Sequence, residues 1–175
     1  MRGRVTRAVS GYPTMGWLSD KHPEAPPPQP LEPIRIYTDD AVFDGSVMTG
    51  GERMTDILQR GDELSFLPQG ADRDLPEAWV GVLTSQVRIV VPPPHVSPPE
   101  QRQPRERQQV TLRIGDYRVT GVAHLRPGLE QDVYLRSTQP FLPLTEATLM
   151  RADGSDPQAY EVMIVNLRWA EFVYG

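Results

Sequence analysis

The sequence contains no cysteine. Disulfides, thiolate zinc sites, iron–sulfur clusters and cysteine nucleophiles are therefore excluded for these residues. Aromatic residues make up only 7% of the chain. No apolar run approaches the roughly 20 residues that a membrane helix needs. No apolar run follows the arginines of residues 1–7 either, so neither a membrane span nor a signal peptide is expected. These absences favour a cytoplasmic protein.

Common catalytic signatures are also missing. The sequence has no H-E-x-x-H, no G-x-x-x-x-G-K-S/T and no G-x-S-x-G motif, which argues against the usual metalloproteases, P-loop proteins and hydrolases. Of the three histidines, His22 and His95 lie in proline-rich stretches. His124 lies on the polar side of a predicted strand, where we expect it to be exposed. We predict no catalytic activity, no cofactor and no bound metal.

Proline is abundant but unevenly placed. Twelve of the 19 prolines fall within residues 23–33 and 92–104. Proline-rich runs favour extended polyproline II and cannot supply the interior of a sheet. This distribution predicts an N-terminal tail (1–33), a first module (34–91), a proline-rich spacer (92–104) and a second module (105–175).

The two predicted modules share a short pattern. Gly45 precedes Asp56 by eleven residues, and Gly121 precedes Asp132 by the same distance. Each aspartate is followed by a Phe-Leu-Pro segment, beginning at Phe66 in the first module and at Phe141 in the second. A repeat of this length constrains the fold more than local propensity does. We therefore predict that one small unit occurs twice.

The repeated residues have structural interpretations that we prefer to catalytic ones. Asp56 and Asp132 could act as paired acids, but a carboxylate that caps a short helix is the simpler interpretation. Gly45 and Gly121 indicate places where a strand bends or another backbone comes close. Phe66 and Phe141 are expected in the core.

Hydrophobic periodicity predicts a mainly β fold. Residues 110–114 and 117–125 alternate apolar and polar, and Asp153-Gly154 is a hairpin signal. In the first module we predict strands at 34–38, 41–48 and 64–67, with a helix at 52–60 that ends at Gly61, and residues 79–91 complete the module. Each module is predicted to follow the order strand–strand–short helix–strand–strand–strand. Residues 79–91 match the rhythm of 162–173. The pattern predicts two tandem small β-barrel-like modules, each with one short helix, or one fused two-sheet unit.

The pattern resembles an uncharacterised family of small bacterial domains, a domain of unknown function. That family carries a glycine in its second strand, a G-x-R-L-S/T-D-x-L block and then F-L/I-P-L. The first module contains the corresponding residues Gly45, Gly51, Arg53, Met54, Thr55, Asp56, Leu58 and Phe66-Leu67-Pro68. The second matches through Gly121, Gly128, Asp132 and Phe141-Leu142-Pro143-Leu144, without the arginine and the serine or threonine. The strand order is also similar to Sm-like and SH3-like barrels. The resemblance implies a repeated β fold and transfers no site.

Charge and the tail indicate the kind of partner. Residues 34–91 hold ten acidic residues and five arginines, a poor match for phosphate backbones. Tyr12, Met15, Trp17 and Leu18 are large apolar residues in a segment without a core. Tyrosine and tryptophan are enriched at binding hot spots, although these side chains would equally suit packing on the first module.

We predict a non-catalytic scaffold or assembly subunit that binds protein partners, or itself, through sheet edges, an acidic face and the aromatic tail. The alternative is a ligand-responsive module for a nucleotide or nucleic acid. Arg102, Arg105 and Arg107 resemble the arginine stretch that opens PilZ domains, but the D-x-S-x-x-G element is absent.

Overall fold

The computed structural model describes residues 29–95, 105–128 and 140–173. We call 29–95 the first half and 105–173 the second half. The first half contains β1 (Glu32–Tyr37), β2 (Val42–Val47), α1 (Met54–Arg60), β3 (Glu63–Pro68), β4 (Val80–Leu83) and β5 (Ile89–Val91). The second half contains β6 (Glu106–Ile114), β7 (Tyr117–Leu125), β8 (Phe141–Arg151), β9 (Gln158–Asn166) and β10 (Ala170–Phe172).

The prediction of a mainly β fold is confirmed, but the strands form one structure and not two separate barrels. All ten described strands join a single curled antiparallel sheet in the order β10-β6-β7-β8-β9-β5-β1-β2-β3-β4. The order within each half is the same. The first half runs β5-β1-β2-β3-β4 and the second runs β10-β6-β7-β8-β9. Each second-half strand thus holds the position of the strand five earlier.

The first half has the predicted order of strand–strand–short helix–strand–strand–strand, and most of its elements lie close to their predicted positions. The helix begins at Met54 and not at residue 52, although Gly61 does end it by donating its N–H to the Ile57 carbonyl. Residues 79–91 form the last two strands of that order, and these lie in different places in the sheet. β4 lies at one end of the sheet beside β3, whereas β5 lies between β9 and β1. A turn centred on Ser85 separates them, with Gln86 N–H bonded to the Leu83 carbonyl.

Residues 129–139, where the short helix of the second module is predicted, lie outside the described residues, as do residues 1–28 of the predicted tail and 96–104 of the predicted spacer. Residues 29–33 of the predicted tail are described, and β1 begins within them at Glu32.

Corresponding glycines occupy corresponding ladder positions. Gly45 on β2 lies opposite Ile34, and Gly121 on β7 lies opposite Val110. Both residues of the second pair lie 76 residues beyond those of the first. A Cβ atom added to Gly45 would collide with the Leu67 carbonyl oxygen and would lie 2.8 Å from the Phe66 ring. The close approach of a neighbouring strand explains why this position has no side chain.

The Gly121 environment repeats this contact on different residues. An added Cβ would lie 3.1 Å from Leu144 Cβ and 3.2 Å from the Thr145 carbonyl oxygen. The ladders agree, because Ser46 faces Leu67 while Val122 faces Thr145. Leu144 therefore holds in the second half the position that Phe66 holds in the first. This corrects the alignment of Phe66 with Phe141, which compared the two Phe-Leu-Pro segments directly.

A local irregularity lies beside Gly121. The β7–β8 register shifts by one residue between Thr120 and Val122, and Glu146 on the opposing strand has a φ of 51°. This irregularity is a β-bulge, which bends a strand and increases its twist. A shift of one residue does not account for the whole three-residue difference between positions 141 and 144.

Two apolar clusters, which we call the first core and the second core, are shared between the halves. The first core is built mainly from first-half residues but includes Phe141 and Ile164. The second core is built mainly from second-half residues but includes Tyr37 and Ile89. Successive residues of the central strands alternate between the clusters, because strand side chains point to opposite faces in turn. Phe66, Leu67, Phe141 and Leu142 are all buried, as expected.

The halves meet where β5 pairs with β9. Ile89 lies opposite Val165 and Val90 opposite Ile164. The fully buried Asn166 extends this ladder, since its backbone N–H donates to the Arg88 carbonyl at 2.8 Å and its Nδ2 donates to the Val87 carbonyl at 2.8 Å. Its Oδ1 accepts from the Arg168 N–H at 3.1 Å. One side chain thereby satisfies groups on both sides of the junction.

Substitution of the two glycines tests the ladder correspondence. Gly45→Ala should lower the free energy of unfolding by about 1–3 kcal/mol, because its Cβ meets rigid backbone. Gly121→Ala should cost less, because its nearest contacts are above 3.0 Å. Urea unfolding of both variants gives the comparison. Equal stability of wild type and Gly45→Ala would contradict the close packing at β2 and β3.

Asn166 should be a second sensitive position. Asn166→Ala leaves the buried Val87 carbonyl without its donor, so we expect a loss of about 1–3 kcal/mol in the free energy of unfolding. Glu161→Ala, at an exposed position on the same strand, is the matched control. Urea unfolding followed by circular dichroism should separate the two variants clearly.

Candidate interaction surface

The sheet has two ends within the described residues. β4 pairs only with β3, and β10 pairs only with β6, among the ten strands. A terminal strand presents backbone N–H and C=O groups that can pair with another chain. Both strands are short, with four residues in β4 and three in β10. These two edges are the first candidate site for recognition.

Exposed apolar side chains gather at these edges. Among the described residues, four of the seven large apolar side chains that remain exposed lie in or beside β4 and β10, namely Val80, Leu83, Trp169 and Val173. Leu75 lies five residues before β4, and Val42 and Met48 lie at the start of β2 and just beyond its end. Apolar residues exposed together are typical of interaction surfaces. The sequence did not single out these positions, because only the strand order shows which strands lack a neighbour.

Trp169 belongs to the junction more than to the edge. Its indole N–H donates to the Ser85 carbonyl at 3.0 Å, and the Arg88 guanidinium lies 4.9 Å from its ring centroid. Arg88 also pairs with Asp39 at 2.5 Å. This stacked and charged group links the β4–β5 turn to the 3₁₀ turn at Leu167–Trp169, so it supports the position of β10.

The acidic residues of the first half are partly paired. Asp44 accepts from the Arg35 guanidinium at 2.6 Å, and this bond holds the pKa of Asp44 below its usual range. Asp39 pairs with Arg88. Both carboxylates are therefore paired with an arginine at the surface. Asp72 and Asp74 are exposed and form a local turn in which Asp72 Oδ1 accepts from the Asp74 N–H. Residues 29–95, 105–128 and 140–173 contain no group of three or more His, Asp or Glu suited to a metal.

His124 is less exposed than the sequence indicates. It lies half-buried on β7, with Nε2 2.8 Å from Thr145 Oγ1. Burial lowers the pKa of His124, and Arg107 and Arg105 lower it further. Arg107 itself pairs with Glu146 at 2.5 Å. The histidine is thus part of a small polar group on β6, β7 and β8.

Asp56 does not cap the helix through its side chain. The N-cap position is Arg53, which makes no side-chain capping bond, and Asp56 lies exposed in the first turn. Its charge still favours the positive end of the helix. Asp132 and the tail residues Tyr12, Met15, Trp17 and Leu18 lie outside the described residues, as does Arg102. The structure therefore does not compare Asp56 with Asp132.

One shallow pocket opens between the halves. It has a volume of about 180 Å³ and is lined by residues from β1, β2, β7, β8 and β9, including Arg35, Tyr37, Tyr117 and Arg151. The Arg151 guanidinium lies 5.1 Å from the Tyr117 ring centroid, and Tyr37 packs edge-on to Tyr117. Burial, together with the neighbouring Tyr160 hydroxyl, raises the pKa of Tyr37. The pocket volume is below the usual range for small-molecule sites, roughly 300–1,000 Å³.

Comparison of the chain with protein-family models, curated proteins and solved structures finds no match. Across the residues that the structure describes, no helix is long and apolar enough to cross a membrane.

The His124 environment gives a pH prediction. Below its ordinary pKa of 6.5 the unfolded chain takes up a proton that the folded chain resists. The free energy of unfolding should therefore fall as pH drops through this region. Arg107→Gln should raise the His124 pKa, because it removes a nearby positive charge. An NMR titration of the ring protons measures both values, and a wild-type pKa above 6.5 would contradict the described environment.

Proposed function

We propose that this chain is a non-catalytic scaffold or assembly subunit, built by duplication of one small β unit and specialised for binding protein through its sheet edges. The observation that supports this most is the coincidence of the two terminal strands with the exposed apolar residues around Val80, Leu83 and Val173. A strand partner would gain backbone hydrogen bonds from the edge and would cover these side chains. This mode of recognition is β-augmentation.

Three features support the duplication. The strand order of each half is the same, and Gly45 and Gly121 face equivalent ladder partners 76 residues apart. The contacts of the two glycines are equivalent as well. The shared cores indicate that the copies now fold as one unit, which suits a rigid platform for assembly.

The acidic face and the aromatic tail would contribute to specificity. The exposed Asp40, Asp72 and Asp74 would favour a basic partner surface over a nucleic acid. Tyr12 and Trp17 would act as peptide-like anchors, in keeping with the enrichment of these residue types at hot spots.

A nucleotide-binding or nucleic-acid-binding module is the alternative function. The pocket beside Tyr117 and Arg151 is the observation that favours it, since arginine and aromatic rings recognise phosphate and base. Its small volume and the net charge of −5 weigh against it. Filter binding with labelled nucleotides and oligonucleotides would decide, because salt-sensitive binding lost in Arg151→Ala or in Arg105→Ala/Arg107→Ala would favour this alternative.

Affinity capture tests the scaffold proposal. The tagged chain, used as bait in native lysate, should retain a specific protein that Leu83→Pro loses, because proline removes a backbone donor at the β4 edge. Met48→Lys changes an equally exposed apolar residue away from both edges and should retain the protein. Deletion of residues 1–28 distinguishes binding by the tail from binding by the sheet edges. Failure of every form of the bait to bind any protein, including itself, would contradict the proposal.

A further inference from the structure

We propose that the chain assembles with further copies of itself head to tail, with β4 of one copy pairing antiparallel with β10 of the next. This inference rests on the proposed scaffold function and names the partner of its edges as a second copy. It follows from the order of the strands, from their registers and from the direction of their backbone groups.

The two terminal strands correspond to two strands that already pair with each other inside the molecule. β9 holds in the second half the position that β4 holds in the first, and β5 holds in the first half the position of β10. β9 and β5 form the internal junction. β4 holds the same position as β9, so the neighbour that β4 lacks is a strand in the position of β5. Among the described residues, the only other strand in that position is β10. A second copy supplies it.

The registers define which residues would meet. Phe66 pairs with Val80 as Leu144 pairs with Met163, so Val80 corresponds to Met163 and Val82 to Val165. Tyr37 pairs with Ile89 as Arg113 pairs with Glu171, so Glu171 corresponds to Ile89. Since Ile89 faces Val165 at the junction, Glu171 of one copy should face Val82 of the next.

This register sets Leu83 opposite Ala170 and Val80 opposite Val173. The backbone directions agree with it. Thr84 N–H donates to the directly opposed Asp62 carbonyl at 2.8 Å, and Val173 N–H donates to the directly opposed Thr111 carbonyl at 3.0 Å. Inward and outward residues alternate along an antiparallel ladder.

Leu83 therefore directs its backbone groups away from β3, and Ala170 directs its own away from β6. The Leu83 carbonyl already accepts from Gln86 N–H, and the Ala170 N–H donates to the Leu167 carbonyl, so the Leu83 N–H and the Ala170 carbonyl are the groups that would pair between copies. These two residues correspond to Asn166 and Arg88, which are bonded at the internal junction at 2.8 Å. The expected pairing therefore reproduces a hydrogen bond that the fold already contains.

Side chains support the pairing, with one exception. Val80 is 40% exposed and Val173 is 41% exposed, and the register places them opposite each other. Glu171 is the exception, since it holds the position of the fully buried Ile89. A charge at this point weakens an edge-to-edge contact. Association should therefore be reversible and weaker than the internal junction.

The contact uses two different surfaces, so it is heterologous. Such contacts generate rings where the rotation closes and filaments where it does not. The wild-type chain should therefore form species larger than a dimer. Disabling either one of the two edges should be enough to stop their growth.

Complementary edge variants test the proposal on the purified full chain. Val80→Lys disables the β4 edge, and Val173→Lys disables the β10 edge. Each variant alone should lose the large species and remain a monomer by light scattering. An equimolar mixture of the two variants should form a dimer with twice the mass of either monomer, because the first variant still offers β10 and the second still offers β4. This recovery also shows that both variants are folded.

Two further variants sharpen the result. Met48→Lys should assemble as the wild type does, because residue 48 lies at neither edge. Glu171→Ile restores the residue type of the internal junction and should tighten self-association about tenfold, equivalent to about 1.4 kcal/mol. A wild-type chain that stays monomeric at all concentrations overturns the inference. Dimerisation of either lysine variant with itself, or no gain in mass on mixing, overturns it as well.

The outcome is separable from that of the scaffold proposal. A monomeric wild type that still captures a different protein, and loses it in Leu83→Pro, leaves the scaffold function in place and removes self-assembly. Assembly that appears only after residues 1–28 are deleted assigns an edge to the tail, and it also overturns self-assembly of the full chain.

Discussion

The pairing of β5 with β9 is the constraint on which the remaining architecture depends. Two directly opposed residue pairs and the buried Asn166 convert two five-stranded arrangements into one continuous sheet. Once this ladder forms, the faces of the central strands divide between two cores. Both cores then contain residues from each half, and the two terminal strands are set at opposite ends. The position of the candidate interaction surface is therefore a consequence of where the halves join.

The junction also explains why charge and aromatic side chains concentrate nearby. Arg88 lies between Asp39 and the Trp169 ring, where its positive charge is partly removed from water. Ion pairs of this kind contribute little at a fully exposed surface, but partial burial and ring stacking favour one geometry. The group fixes the turn that leads into β10. The connection of this group to the candidate interaction surface is indirect, through the orientation of an edge strand.

Much of the local structure could be predicted from sequence, because alternation and turn residues act over short distances. Residues 117–125 were predicted as a strand and are β7, and Gly61 was predicted to end the helix and does so. Strand neighbours are harder to predict, because β4 and β5 follow each other within residues 79–91 yet lie at opposite ends of the first half. The three-residue offset between Phe141 and Leu144 is seen only in the ladder, and no local propensity marks it. The sequence does not show the burial of His124, because that burial depends on Thr145 of a neighbouring strand.

The exchange of Phe141 and Ile89 between the cores has a consequence for how the protein can be divided. A fragment ending before residue 96 would keep Phe66 and Leu58 but would lack the side chain that β8 inserts beside them. The complementary fragment would lack Tyr37 and Ile89. Severing the connection between the halves should thus yield two pieces that stay bound to each other, each completing the interior of its counterpart. Such a protein lends itself to reconstitution from separately expressed segments.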